Sequence, residues 1–517
     1  MPTCPRGWEY FENVHLTLSI SVVRFQITAT RSGISAGQPN PALFPPFVPI
    51  HRKDGNRTMA TAIIITFIIG YLMIAFEHPL HIDKAATALL TGVVCWSIYM
   101  FGIEGLIPDG SIPHWFGDKI GHAADHAEHA HYTREFMTEW AVEGQLYGSL
   151  AEIAGILFFL MGAMTIVELV DAYEGFSIIT DRINAKSQVM LLWIISILTF
   201  FMSAVLDNLT TTIVMVSLLK KMIKDHDKRL FFCGMVIIAA NAGGAWTVIG
   251  DVTTTMLWIK KKISPLPTVY WLILPSLACL CVPLFFVSRY LKGPVERPEH
   301  VSHAHYKKLK PYQSMLFLCL GFGGLLFVPV FKAVTHLPPF MGVMFSLGVM
   351  WIVSEIVKHD MDHETRSSTH VLSILKKIDT GSILFFLGIL LAINSMASVG
   401  ILKQAAEGLD TYVGNKNAIA ILIGLLSAVV DNVPLVAAGI EMYTMEIDNP
   451  FWIFLAYCAG TGGSCLIIGS AAGVAAMGLE KIDFMWYVKN ISFWALLGYL
   501  AGCAVYFAQV YVVGLMT

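Results

Sequence analysis

The chain has 517 residues, 56% of them hydrophobic and 14% charged, with a formal net charge of −3 and a mean hydropathy of +0.65. Apolar stretches of about 20 residues recur along it, which excludes an ordinary soluble protein and makes the lipid bilayer its first partner. The slightly negative charge gives a nucleic-acid partner no electrostatic support. Nine cysteines, mostly inside apolar runs and without a CxxC pair, read as inert membrane-helix residues.

Residues 1–58 are proline-rich, carry six basic residues and contain no spanning apolar run. They lack the compact apolar region and cleavage site of a secretory signal. The segment reads as a start placed too far upstream of Met59, with a transit peptide as the alternative. Apolar runs then fall at 59–76, 85–107, 148–170, 230–259, 268–291, 312–331, 339–357, 380–400, 451–480 and 486–514, which predicts about ten spans. The resulting plan has N-terminal spans and an outer loop over 59–147 and a first repeat over 148–291. Linking spans and loops occupy 292–378, and a second repeat occupies 379–517.

Two further segments, 187–222 and 415–445, carry the phrases SAVLDN (203–208) and SAVVDN (427–432), 224 residues apart. Each places an aspartate and an asparagine at the end of an apolar run. A carboxylate costs several kcal/mol at mid-bilayer, so such residues are functional-site hypotheses by default. The arms on either side, about 16–20 and 12–14 residues, are short for two independent spans. They predict re-entrant hairpins packed within protein.

The repetition extends further. ILFFL occurs at 156–160 and 383–387, each time with an acid four residues earlier, Glu152 or Asp379. After each hairpin segment comes a glycine-interrupted span, NAGGAWTVIGD at 241–251 and GTGGSCLIIGS at 460–470. Placing Met59 outside and returning both hairpins to their own sides puts twenty Lys and Arg residues on the cytoplasmic side and eight outside. The six of the leader complete the 34. That asymmetry follows the positive-inside rule, with Lys260 to Lys262 its weak point. The two ILFFL helices then run in opposite directions. The fold class is an all-α polytopic membrane protein of two inverted repeats, each with a re-entrant hairpin and a broken helix.

Hairpin tips and half-helix ends expose unpaired backbone groups. Together with carboxylates, amides and hydroxyls they form a set of hard oxygen ligands suited to a small hard cation. Candidate ion ligands are Ser203, Asp207, Asn208 and Thr211 in the first half, Ser427, Asp431 and Asn432 in the second, and Asp251 after the first break, with Asn241 before that break among the further polar groups of the broken helix. Gly243, Gly244, Gly462 and Gly463 would let backbone approach closely. An acid able to hold either a proton or a cation gives exchange by competition. The bland alternative is that these aspartates merely cap half-helices, most readily for Asp251, whose counterpart is Ser470. Glu152, Glu168 and Asp379 are candidates for a proton path or simple interfacial acids. His114, His122, His126, His129 and His131 crowd an outer loop, with spacings that suit metal or pH sensing.

The two Asp-Asn phrases, EIAGILFFLMGAMTIVELVDA, NAGGAWTVIGD and the opening IGYLMIAFEHPLHIDKAATALLTG together resemble NhaD-type Na+/H+ antiporters over roughly residues 60–514. These belong to the ion transporter superfamily, with arsenite permeases and dicarboxylate carriers. The resemblance implies exchange of Na+ or Li+ for H+ with no cofactor. It places ion binding on Asp207, Asn208, Asp431 and Asn432, supported by Asp251 and the Gly-Gly breaks. It also implies a multi-pass protein of a bacterial inner membrane, with a homodimer left open. The histidine loop and the leader stand outside the family pattern. A carrier of arsenite or carboxylate anions is the nearest alternative. An intramembrane aspartyl protease also needs two buried aspartates, but they must share a proton at about 3 Å.

Overall fold

A computed structural model describes residues 54–516, apart from 76, 108–111, 114–115, 117–131, 181–182, 184, 186, 292, 295–308, 359–360, 362–368 and 430. Residues 1–53 of the leader and the loop histidines 114, 122, 126, 129 and 131 lie outside the described residues, whereas leader residues 54–58 form the start of the first helix rather than a segment separate from it. The described chain is helical throughout, without a strand.

Many helix starts are written locally. Asp83, Ser187, Asp225, Asn415 and Asn449 accept backbone N–H groups as N-caps. Pro265, Pro311, Pro339 and Pro450 occupy first-turn positions, where the missing N–H is not needed. The main helices before the first hairpin are α1 (Asp54–Ala75), α2 (Lys84–Phe101) and α3 (Tyr147–Ala172). The first hairpin is α4 (Gln188–Leu206) and α5 (Asn208–Met222), followed by the broken helix α6 (His226–Gly244) and α7 (Val252–Ile259). Then come α8 (Pro265–Tyr290), α9 (Pro311–Thr335), α10 (Pro339–Val357), α11 (Thr380–Ser398) and a short α12 (Ile401–Tyr412). The second hairpin is α13 (Lys416–Leu426) and α14 (Asn432–Met442). The second broken helix is α15 (Pro450–Gly462) and α16 (Ala471–Glu480), and α17 (Ser492–Met516) closes the chain.

Eight helices among the described residues are long and apolar enough to cross a membrane. The sequence-based expectation of about ten differs for a physical reason. The runs at 230–259 and 451–480 are each split by a break, and the run at 59–76 gives only a shorter apolar helix, Thr58–Ile74. Conversely, α4 reaches 19 residues and qualifies on length although it is a hairpin arm. The second hairpin is shorter than expected, with two arms of 11 residues, because its first arm unwinds into turns from Ser427.

Contacts at the helix ends fix direction. At one end of the bundle Ser264, before α8, donates to Asp448, before α15. Lys262, just after α7, meets the Tyr443 carbonyl, and Lys416 lies 3.9 Å from the Tyr443 ring, so the second hairpin closes its base there. At the other end Arg229 at the start of α6 and Lys220 near the end of α5 meet Glu480 at the end of α16. The backbone N–H of Gln188, starting α4, donates to the Gly293 carbonyl just beyond α8. With α8 running its 26 residues between the two ends, the first hairpin opens at the Arg229 end and the second at the Lys260 end. The repeats are inverted.

The two broken helices form the centre. Phe232–Gly244 of α6 and Phe451–Gly462 of α15 are buried without interruption. The outward faces of α1 and α9 are apolar and exposed, at Ile65, Ile68 and Leu72 and at Leu326, Val330 and Val334. Those are faces suited to lipid tails.

Candidate functional site

Each hairpin packs against its own broken helix in the same way. A Cβ on Gly243 would sit 2.2 Å from the Phe200 carbonyl oxygen of α4, and one on Gly462 2.0 Å from the Gly424 oxygen of α13. Added carbons on Gly244 and Gly463 would meet the oxygens of Gly250 and Gly469, across each break, at 2.4 and 2.5 Å. Only glycine lets backbone approach backbone this closely. Ser203 Oγ donates to the Ala240 carbonyl at 2.6 Å, and Ser427 Oγ to the Ala459 carbonyl at 3.1 Å. The contacts repeat across the two halves.

Three acids sit at half-helix N-termini. Asp207 accepts the Thr210 N–H at 2.7 Å and the Thr210 hydroxyl at 3.1 Å, capping α5. Its φ of 87° is left-handed, an uncommon conformation for a residue other than glycine, and it re-aims the chain between the two arms. Asp431 caps α14 through the Val433 N–H at 3.1 Å. Asp251 caps α7 through the Thr253 N–H and hydroxyl, both at 2.9 Å. At the matching fourth terminus Ser470 caps α16 through the Gly473 N–H. A cation would be disfavoured by these positive half-helix ends were it not for the acids placed there.

The hairpins meet at Asp251. Asn208 Nδ2 of the first hairpin donates to Asp251 Oδ2 at 2.8 Å, and Asn432 Nδ2 of the second reaches the same oxygen at 3.4 Å. Asn208 also donates to Asn241 Oδ1 at 3.0 Å. Asn241 in turn donates to the hydroxyls of Ser464 and Ser470, both at 2.9 Å, and so joins the two breaks. Asn208, Asn241, Asp251, Asn432, Ser464 and Ser470 are all buried. Asp207 and Asp431 are half-buried at the rim of this network, and Thr211 Oγ1 is buried without a hydrogen-bond partner. Sequence reasoning ranked Asp251 as support and counted Asn241 only among the polar groups of the first broken helix. The geometry makes both central. The available signal was their position at either lip of the break, Asn241 just before the paired glycines and Asp251 directly after Gly250.

The remaining acids separate. Glu168 and Asp379 line one cavity of about 250 Å³, with Asp171, Lys84, Lys377 and Thr210. Thr210 is the residue that bonds Asp207, so this cavity reaches the first hairpin tip. Glu152 lies at the opposite end of the bundle, in contact with Lys260, which also reaches Glu441 at 3.5 Å. Burial disfavours the Lys260 charge, but Glu441 and Glu152 outweigh it and raise its pKa above the usual lysine value. Lys262 stacks over the Trp452 ring at 4.8 Å. Two of the three lysines that weakened the charge-based topology therefore have structural partners.

Two inverted helical repeats around a central polar network, in a bundle with membrane-length apolar helices, define a polytopic secondary transporter rather than an enzyme. Residues 71–445 match the family profile described as citrate transporter. The chain is 44% identical over 458 residues to sodium/proton antiporter 1 of Arabidopsis thaliana, covering 88% of this chain and 73% of the relative. It is 42% identical over 450 residues to sodium/proton antiporter 2 of the same plant, covering 86% and 98%. To the Na(+)/H(+) antiporter NhaD of Vibrio cholerae it is 29% identical over 485 residues, covering 86% and 92%. The chain belongs to the citrate-transporter family and, within it, to the NhaD-type antiporters. With relatives from both a plant and bacteria, the expected bacterial inner membrane does not follow from them; multi-pass membrane integration does.

Proposed function

We propose that the protein exchanges Na+ or Li+ for H+ by alternating access. Asp207 and Asp431 each hold either the cation or a proton, and Asn208, Asn432, Ser203, Ser427 and Thr211 supply further oxygens. Asp251 couples the two hairpins. The observation that carries this reading is the convergence of Asn208 and Asn432, from opposite hairpins, on one Asp251 oxygen. A change at either tip is thereby felt at the other. Carboxylates are the right groups for the exchange, because a bound cation favours the charged form and burial favours the protonated one. The unpaired Thr211 hydroxyl adds a buried oxygen without a donor of its own.

The Arg229 end is assigned to the cytoplasm by its excess of basic residues. The cavity of about 250 Å³ opens beside the first tip on that side, whereas the gap beneath Lys260 measures about 20 Å³. That contrast supports an inward-facing state. Glu168 and Asp379 line the inward cavity and suit proton delivery there.

A carboxylate carrier is the second reading, favoured by the family profile and by Lys84 and Lys377 in the cavity. Three aspartates around the network oppose an anion there. The test is purified protein in liposomes loaded with a pH-sensitive dye, challenged in turn with Na+, Li+, K+, citrate and arsenite. Proton movement driven by Na+ or Li+ supports the proposal. Uptake of citrate without any cation-driven proton signal overturns it.

A further inference from the structure

The inverted repeat assigns matching positions to four charged residues outside the ion site. Glu152 and Asp379 each stand four residues before ILFFL, on α3 and at the N-cap of α11. Lys260 and Lys481 are the C-cap residues of α7 and α16, the second halves of the two broken helices. The two acids and the two lysines are spaced along the chain as the two Asp-Asn pairs are, to within three residues. Inversion therefore predicts that whatever Lys260 does with Glu152 at one end, Lys481 does with Asp379 at the other.

The two ends differ in the state seen here. Lys260 touches Glu152 of the framework helix α3 and reaches Glu441 of the second hairpin, tying three elements together. The gap directly beneath it, lined by Ile153, Met256, Asn394 and Ile440, measures about 20 Å³. At the opposite end Asp379 is turned to its own helix, bonding the Ser382 N–H at 3.0 Å and hydroxyl at 2.5 Å. It borders the cavity of about 250 Å³, whose far wall includes Ala471, Val474 and Ala475 of α16. Lys481, beyond the end of that helix, is exposed. The paired end is narrow and the unpaired end is open.

We propose that these residues are positioning residues forming two alternating gates: Lys260 with Glu152 and Glu441 holds the outer approach shut in this state, and Lys481 with Asp379 holds the inner approach shut in the opposite one. Closing the inner gate moves α16 towards α11. Because Glu480 at the end of α16 binds Arg229 of α6 and Lys220 of α5, the first hairpin and its broken helix travel with it. The groups facing Lys260 are Glu152 and Glu441, with Lys261 and Lys262 following in sequence. Those around Asp379 are Lys377, Lys84, Glu168 and Asp171, which share its cavity. Lys377 and Lys84 are the cations of that cavity with which Lys481 competes for Asp379.

This inference rests on the alternating-access reading, and its test separates the two. In a background lacking native cysteines, Asn394→Cys reports the outer gap and Val474→Cys the inner cavity through an impermeant thiol reagent applied from each side. Loss of an ion pair of this kind shifts a two-state equilibrium by up to about fivefold. Lys260→Gln should raise labelling at 394 and lower it at 474 by about that factor, and Lys481→Gln should do the reverse. Lys260→Arg should restore the original pattern, which a merely structural loss would not allow. Glu152→Gln, which keeps the lysine and removes one of its two partners, should shift labelling in the same direction as Lys260→Gln and gives the readout if that variant fails to reach the membrane. Labelling that moves in the same direction at both sites, or at neither, overturns the gates. Opposite shifts without any Na+-driven proton movement in the unsubstituted protein would leave the gates standing and remove the ion assignment.

Discussion

Substitution of Asp251 probes the hub from which the site is organised. Its carboxylate accepts the Asn208 amide at 2.8 Å and the Thr253 N–H and hydroxyl at 2.9 Å, with the Asn432 amide at 3.4 Å. Asp251→Ala leaves three well-placed donors without an acceptor, each costing about 1–3 kcal/mol when buried. Removing the carboxylate also removes its own desolvation penalty, which offsets part of that sum. A net loss of about 2–4 kcal/mol follows. Asp251→Asn keeps one oxygen, and asparagine caps as well as aspartate. The oxygen can serve either Thr253 or the two hairpin amides, and the new NH2 then faces other donors. Its cost should be intermediate, about 1–2 kcal/mol. The assay is thermal unfolding of the purified protein in detergent, followed by tryptophan fluorescence, with exchange measured on the same preparations. The expected order of stability is wild type, then Asp251→Asn, then Asp251→Ala, with exchange lost in both variants. An alanine variant as stable as wild type would refute the hub.

Further outcomes are expected elsewhere. Gly243→Ala and Gly462→Ala place a carbon against backbone oxygens, and should each cost about 1–3 kcal/mol and impair exchange. Gly348→Ala, with open space around it, should be neutral or slightly stabilising in the same melts. Glu480→Gln strips a buried acid from Arg229, Lys220 and His226, with a loss of up to about 3–5 kcal/mol readable in denaturation midpoints. Cysteines placed at 225 and 447, near the bases of the two hairpins, should label from opposite faces of the membrane. Labelling from one face only would contradict the inverted arrangement.

What was legible in the sequence had a local cause. The hairpins announce themselves because Asp-Asn interrupts apolar runs, and the broken helices because paired glycines do. The inversion follows from two ILFFL helices that run in opposite directions in the topology supported by the asymmetry of basic residues. The convergence on Asp251 was not legible: it depends on how two hairpins from opposite ends meet, and its repeat partner is Ser470, which hides its importance in a search for duplicated acids. Asn241 was visible as a polar group of the broken helix, but its linking role was not, since its bonds to Ser464 and Ser470 cross between repeats. Lys260 looked like an exception to charge asymmetry until Glu152 and Glu441 were placed beside it. The helix Ile401–Tyr412 escaped because it lies between spans, begun by Gly400 at a φ of 75° and too short to register as one.

Comparison of Asp207→Asn and Asp431→Asn with wild type, in dye-loaded liposomes at matched protein density, tests the central claim most directly. Both aspartates are N-caps, and asparagine caps about equally well, so folding should be preserved. Asparagine keeps an oxygen ligand but can neither take up nor release the exchanged proton. The account predicts that each variant folds and shows no Na+-dependent proton movement. Exchange at the wild-type rate in both would leave these acids as helix caps and contradict it.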